Sequence, residues 1–164
     1  MSEVRIGGYR PGALGRVTVL HATYYHEQWG FGLFFEARVA ADMAAFLQRF
    51  DEARDGFWVA MIDDEIVGSI AIDGIDAATA GAHLRWFILD PDHQGHGLGR
   101  KLLTRALDHC RARGFGRVRL STFAGLDAAR HLYESLGFVL TEEAEGTQWG
   151  SAVTEQTFVL DLAG

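Results

Sequence analysis

Gln94, Gly95, His96, Gly97, Leu98, Gly99 and Arg100 follow one another directly behind an apolar run and an Asp90-Pro91 stop, so that glycine alternates with longer side chains. Glycines leave no Cβ between the backbone and a ligand, and successive N–H groups can then point at anionic oxygens. A helix-forming stretch begins at the same place, adding unpaired amides and the positive end of its dipole. The chemistry this predicts is the grip of a pyrophosphate, with Arg100 as countercharge. A dinucleotide fingerprint counted from Gly95 needs glycine where Arg100 stands, and a nucleoside triphosphate loop needs Gly-Lys followed by Ser or Thr; both patterns fail here. A tight structural turn would use the same glycines, so a second constellation has to decide.

That constellation is Ala128-Ala129-Arg130-His131-Leu132-Tyr133-Glu134-Ser135-Leu136-Gly137-Phe138. Ala129, Leu132, Tyr133 and Leu136 stand at helical spacing, Gly137 stops the helix, and Phe138 opens a strand. Tyr133 is either a half-buried packing aromatic or a proton donor. Upstream, His83 and Arg85 share one side of an expected strand. His83 reads as a base with a pKa near 6.5 or as a surface histidine, and Arg85 as the partner of an acidic residue or of a substrate carboxylate. His21, Tyr24, Tyr25, His26, Glu27 and Trp29 form another polar-aromatic group, either the wall of a site or ordinary core and rim. His93 and His96 have no third ligand nearby, so no metal is expected.

Gln94-x-x-Gly97-x-Gly99 followed by the Ala128 to Phe138 segment resembles the acetyl-CoA signature of the GNAT N-acetyltransferase superfamily. The resemblance implies acetyl-CoA as cofactor. It implies cofactor contacts at Phe87, Ile88, Leu89, Gln94, Gly95, His96, Gly97, Leu98, Gly99, Arg100, Asp127 and Arg130. In such proteins the backbone N–H at Phe87 meets the acetyl carbonyl, Leu89 pairs with the pantetheine amides like an added strand, and Tyr133 protonates the leaving thiolate. Many relatives carry Asn where this chain has Leu126, with Asp127 beside it. Several place a carboxylate base where His83 stands. His21, Tyr24, Tyr25, Trp29 and Arg85 would then face the acceptor, a primary amine of a small molecule or an amino-acid-like substrate. A protein or peptide acceptor, or a non-catalytic acyl-CoA sensor, are the alternatives. The stretches from His21 to Phe31 and from Ala124 to Gly137 also look like the acetyltransferase half of bacterial MarR-type regulator fusions; the regulator half is missing, so DNA binding is not implied.

These residues need elements to hold them. The chain has 164 residues, enough for one domain spanning 1–164 with a sizeable core. The periodicity predicts an edge strand over Val4 to Tyr9, helices near Leu14 to His26 and Phe35 to Phe50, and strands over Phe57 to Ile62 and Ile66 to Ile72 joined at Asp63-Asp64. A central strand over Ala82 to Leu89, the helix from Leu98 to Arg113, a strand over Val118 to Thr122, the Tyr133 helix and strands at Phe138 to Thr141 and Val153 to Leu160 follow. The resemblance implies an α/β (α+β) fold: a mixed, mostly antiparallel sheet of six to seven strands, splayed after the fourth, with about four helices. The last strand is a candidate edge for a homodimer.

A net charge of −7 argues against nucleic acid as partner. Basic residues nonetheless gather at Arg100, Lys101, Arg105, Arg111, Arg113, Arg117 and Arg119, where a CoA phosphate tail would lie. No apolar run approaches the roughly 20 residues of a membrane span, and the first residues lack a secretory signal. Cys110 is the only cysteine, which fits a cytoplasmic protein, and it reads as core filler.

Overall fold

The computed structural model describes residues 3–162. Its centre is a seven-stranded sheet in the order β1-β2-β3-β4-β5-β7-β6, built from β1 (Val4–Gly7), β2 (Gly56–Ile62), β3 (Glu65–Asp73), β4 (Ala82–Leu89), β5 (Arg117–Phe123), β6 (Val139–Gly146) and β7 (Val153–Asp161). Four helices flank it: α1 (Ala13–Trp29), α2 (Leu33–Gln48), α3 (Leu98–Ala112) and α4 (Asp127–Ser135). The architecture is the one the sequence leads one to expect. Asp63 and Asp64 both take positive φ, 52° and 65°, in the two-residue link between β2 and β3. That is the hairpin turn whose twist matches the flanking strands.

Two cores lie on opposite faces of the sheet. On one face α3 inserts Leu102, Leu103, Ala106, Leu107 and Cys110 against Val67, Ile72, Leu84, Leu120 and Phe158. On the other, Val17 of α1 and Val39, Met43 and Phe46 of α2 cover Phe57, Val59, Ile66, Ala71 and Ile88. Covered on both sides, β3 is buried from Ile66 to Asp73 and therefore reads as an apolar run without alternation. Cys110 is fully buried, and burial pushes its thiol up to about 12, as expected of core filler.

The sheet opens beside β4. Its parallel pairing with β5 is confined to Ala82↔Val118 and His83↔Arg119. Toward β3 the register runs Ser69↔Ile88 and then Ala71↔Arg85, two steps on β3 against three on β4. The extra residue is a bulge at Trp86, which takes φ 47°, and the Ser69 hydroxyl donates to the Trp86 carbonyl at 2.7 Å. A bulge bends and twists its strand, so β4 turns away from β5 and the edge from Leu84 onward faces a cleft.

Two expectations change. β7 pairs with β5 on one side and β6 on the other, so the last strand is interior and β6 forms the edge. β6 also runs on to Gly146, well beyond Thr141, because antiparallel pairing with β7 continues through Glu142, Glu143 and Glu145, a polar stretch with no strand signature. Among the described residues, no helix is long and apolar enough to cross a membrane, and no group of His, Cys, Asp or Glu is arranged to hold a metal.

Candidate active site

A cleft of about 860 Å³ fills the gap between the diverging strands. His83 to Leu89 form one wall and Leu120 to Phe123 the other; α3 and α4 close one end, α1 and α2 the opposite end.

The glycine end is built by backbone conformation. The chain leaves β4 through Asp90, whose carboxylate accepts from the Asp92 N–H at 3.0 Å, and Gln94 Nε2 donates back to the Leu89 carbonyl at 3.3 Å. Gly95 and Gly97 take φ 85° and 76°, and Gly97 is the residue before the first turn of α3. A Cβ built on either meets no protein atom within 4 Å. Both glycines are exposed and line the cleft, so the start of α3 is open there, with room for a bulky anion. Gly99 differs: a Cβ there would touch Leu132 Cδ2 and Phe87 Cζ at 3.5 Å, so its small size lets α3 pack close to α4 and β4. Arg100 Nη2 donates to Ser135 Oγ at 3.0 Å and ties the same two helices together.

Tyr133 stands midway. It is 5% exposed and wedged among Phe87, Phe138 and Phe158, with centroids 5.9, 5.8 and 6.1 Å away, yet it lines the cleft. Burial pushes its phenol well above the usual tyrosine range, with Tyr25 adding to the shift, so the hydroxyl keeps its proton at neutral pH.

The far end is aromatic and charged. His21, Tyr24 and Tyr25 of α1 reach it; His21 Nδ1 sits 2.8 Å from the Val17 carbonyl, so that nitrogen carries the proton of the neutral ring. Burial lowers the His21 pKa to about 4. His83 lies in the wall with its pKa lowered to about 3, first by burial and then by Arg119 and Arg85, so it is a neutral imidazole across the physiological range. Arg85 stacks on Trp86 at 4.1 Å and stands near Asp42 and Asp73. From the β6–β7 loop, Trp149 packs on Phe35 at 5.8 Å and under the Arg38 guanidinium at 5.3 Å, while Arg38 Nη1 donates to the Gln148 carbonyl.

Most of the residues singled out by sequence meet here: His21, Tyr24, Tyr25, His83, Arg85, Phe87, Ile88, Leu89, Gln94, Gly95, Gly97, Gly99, Arg100, Asp127 and Tyr133 all line the cleft. Four do not. Trp29 packs edge-on to Phe123 at 4.9 Å and fills the space over Gly125, where a Cβ would come within 2.4 Å of its ring. The Leu98 side chain is buried in the α3 core, because the first turn of that helix must anchor to the sheet. Arg130 lies over the Phe158 ring and pairs with Glu134, and His96 is exposed beside the loop. Sequence reasoning missed Arg38, Asp42, Ser121, Thr122, Gln148 and Trp149. Only the Arg38–Asp42 spacing on one helix carried any local signal, and a solvated ion pair would look the same.

The split sheet thus encloses one cleft with a helix N-terminus at one end and a polar, aromatic lining at the other. The chain belongs to the acetyltransferase (GNAT) family, whose sequence profile matches residues 17–138 and whose cofactor is acetyl-CoA. It is similar to the L-amino acid N-acyltransferase MnaT of Escherichia coli K12, at 45% identity over 62 residues, which cover 37% of this chain and 36% of that protein. The chain thus matches about a third of that relative's length. Among solved structures, an acetyltransferase from Streptococcus agalactiae superposes with a TM-score of 0.78 at 24% identity, covering 97% of this chain and 98% of the other. An acetyltransferase from Salmonella typhimurium, solved with acetyl-CoA, gives 0.74 at 22% identity over 98% and 95%. These two likenesses establish the fold.

Proposed function

We propose that the protein is an acetyl-CoA-dependent N-acetyltransferase acting on a primary amine of a small, amino-acid-like molecule, by direct attack with both substrates bound. The observation that carries this reading is the continuity of one cleft from Gly95 and Gly97, past Tyr133, to the end lined by His83 and Arg85. Residues 95 to 100 fit a pyrophosphate, since the space a Cβ would take at Gly95 and Gly97 is free. Acetyl-CoA supplies an activated thioester carbonyl.

The chain's own groups do the rest. The β4 edge beyond His83 has left β5, so its amides, with that of Phe87 next to the bulge, are available to a carbonyl oxygen and to an extended amide chain. Tyr133 keeps its proton until a base as strong as a desolvated thiolate forms beside it. His83 accepts a proton only in passing, because flanking arginines and burial make its cation costly; it serves as a relay to solvent. Leu126 and Asp127 line the cleft where many relatives have Asn, leaving cofactor affinity to the backbone cradle.

The name of the Escherichia coli relative, an L-amino acid N-acyltransferase, supports an amino acid as acceptor. Closure of the Trp149 loop onto α2 favours a small molecule over a peptide. A lone buried cysteine, Cys110, suits a reducing cytoplasm. The test is release of free thiol from acetyl-CoA across a panel of amines, with calorimetry of coenzyme A alone. Binding with no amine consumed would support the acyl-CoA sensor; no binding would remove both readings.

A further inference from the structure

The protein has a net charge of −7, yet at the acceptor end of the cleft the lining arginines, Arg38 and Arg85, outnumber the lining aspartate, Asp42. Four arginines, Arg38, Arg49, Arg85 and Arg119, share ion pairs with three aspartates, Asp42, Asp73 and Asp76. The pairing is unequal. Arg49 takes Asp73 bidentately, at 3.1 and 2.6 Å, and so satisfies that carboxylate. Asp42 is divided between Arg38 at 3.6 Å and Arg85 at 3.8 Å. Arg85 is left with carboxylates at 3.8 and 3.7 Å, beyond hydrogen-bond reach, and no described residue accepts a hydrogen bond from it. Arg119, paired in register with His83, holds its Nε buried without a partner.

A half-buried guanidinium that lies over Trp86, lines the cavity and has only carboxylates beyond hydrogen-bond reach is an unfilled fork for a planar oxyanion. We infer that the acceptor carries a carboxylate next to its amine, and that Arg85 is the residue that demands it. The inference rests on the acetyltransferase reading above and narrows its substrate class. Arg85 is two residues from Phe87 across the Trp86 bulge, a short separation that suits an amine and a carboxylate joined by few carbons. Asp42 positions the fork by holding Arg85 and Arg38 on either side of itself. An amine lacking the anion would leave Arg85 with only its long ion pairs to Asp42 and Asp73, which is how a polar site disfavours an analogue.

The experiment compares amino acids with their decarboxylated counterparts: phenylalanine with phenylethylamine, and leucine with isoamylamine. Thiol release and calorimetric uptake by the coenzyme A-loaded protein are both read. The expected kcat/KM ratio in favour of the carboxylated member is on the order of 100-fold. Arg85→Gln collapses that ratio toward one, chiefly through KM of the carboxylated member, and Arg85→Lys, which keeps the charge against Asp42 and Asp73, restores part of it. Equal, reversed or absent uptake of the two members overturns the carboxylate site. Selective uptake of the carboxylated member without thiol release supports the site and overturns the acetyltransferase reading instead.

Discussion

At the scale of single residues, the cleft separates groups that hold a proton from groups that cannot. Tyr133 has a pKa raised by burial and keeps its proton at every pH an assay would use. Tyr133→Phe is expected to lower turnover on the order of 100-fold while leaving the calorimetric Kd for acetyl-CoA unchanged, since the ring contacts with Phe87, Phe138 and Phe158 persist. An unaltered rate would remove the acid. His83, at about 3, has no ionisation left in the assay range. The pH profile of kcat/KM should therefore rise with the amine's own deprotonation and show no step near 6.5, and His83→Ala should leave the shape of that profile as it is. Gly97 holds φ 76° at the mouth of the cradle. A β-branched side chain there would be strained by roughly 1–2 kcal/mol and would stand where the anion goes, so Gly97→Val should weaken acetyl-CoA binding by more than about tenfold. Binding equal to that of the parent protein would mean that the phosphates lie elsewhere.

Among the elements, the contact that shapes the far end of the cleft joins α2 to the β6–β7 loop. Phe35 and Arg38 hold Trp149 from one helix, and Gly150, at φ 95°, brings the loop so near that a Cβ would come within 2.9 Å of Phe34. Trp149→Ala removes a wall of the amine end and touches nothing at the cradle. Its KM for the amine should rise by roughly tenfold, about 1.4 kcal/mol, with acetyl-CoA affinity preserved; steady-state kinetics beside calorimetry separates the two. β6, the outer strand of the sheet, carries Glu142, Glu143 and Glu145. Charges on an edge oppose strand-to-strand association, so pairing of two copies along β6 is disfavoured at neutral pH.

For the whole molecule, three histidines with lowered pKa values, His21, His83 and His109, couple stability to acidity. His21, 6% exposed, has a folded pKa of about 4 against 6.5 in an unfolded chain, so the unfolded state binds more protons anywhere between these values. Stability is full above pH 6.5 and is lost as pH falls toward 4, by on the order of 3 kcal/mol from His21 alone. His83 adds a loss of the same sign over a window reaching to about 3. Urea midpoints at pH 7, 5.5 and 4.5 should fall steeply, and His21→Gln should flatten the dependence. A variant as acid-sensitive as the parent would place the cause elsewhere.

The cradle, the Tyr133 helix and the Asp63-Asp64 hairpin were legible in the chain because each is a short-range matter. Glycine φ, helical period and turn chemistry act within a dozen neighbouring residues. The seven-stranded sheet and four helices followed from those pieces together with the family resemblance. What only tertiary structure decided is whatever joins distant segments. Arg85 meets Asp42 of α2, Trp149 closes from a loop far downstream, Trp29 goes under Gly125 instead of into the cleft, and β7 slips inside β6. The sequence left His83 open between a base near 6.5 and a surface histidine; its pKa is lowered to about 3 because desolvation and the fields of Arg119 and Arg85 exist only after folding has gathered those groups around one ring.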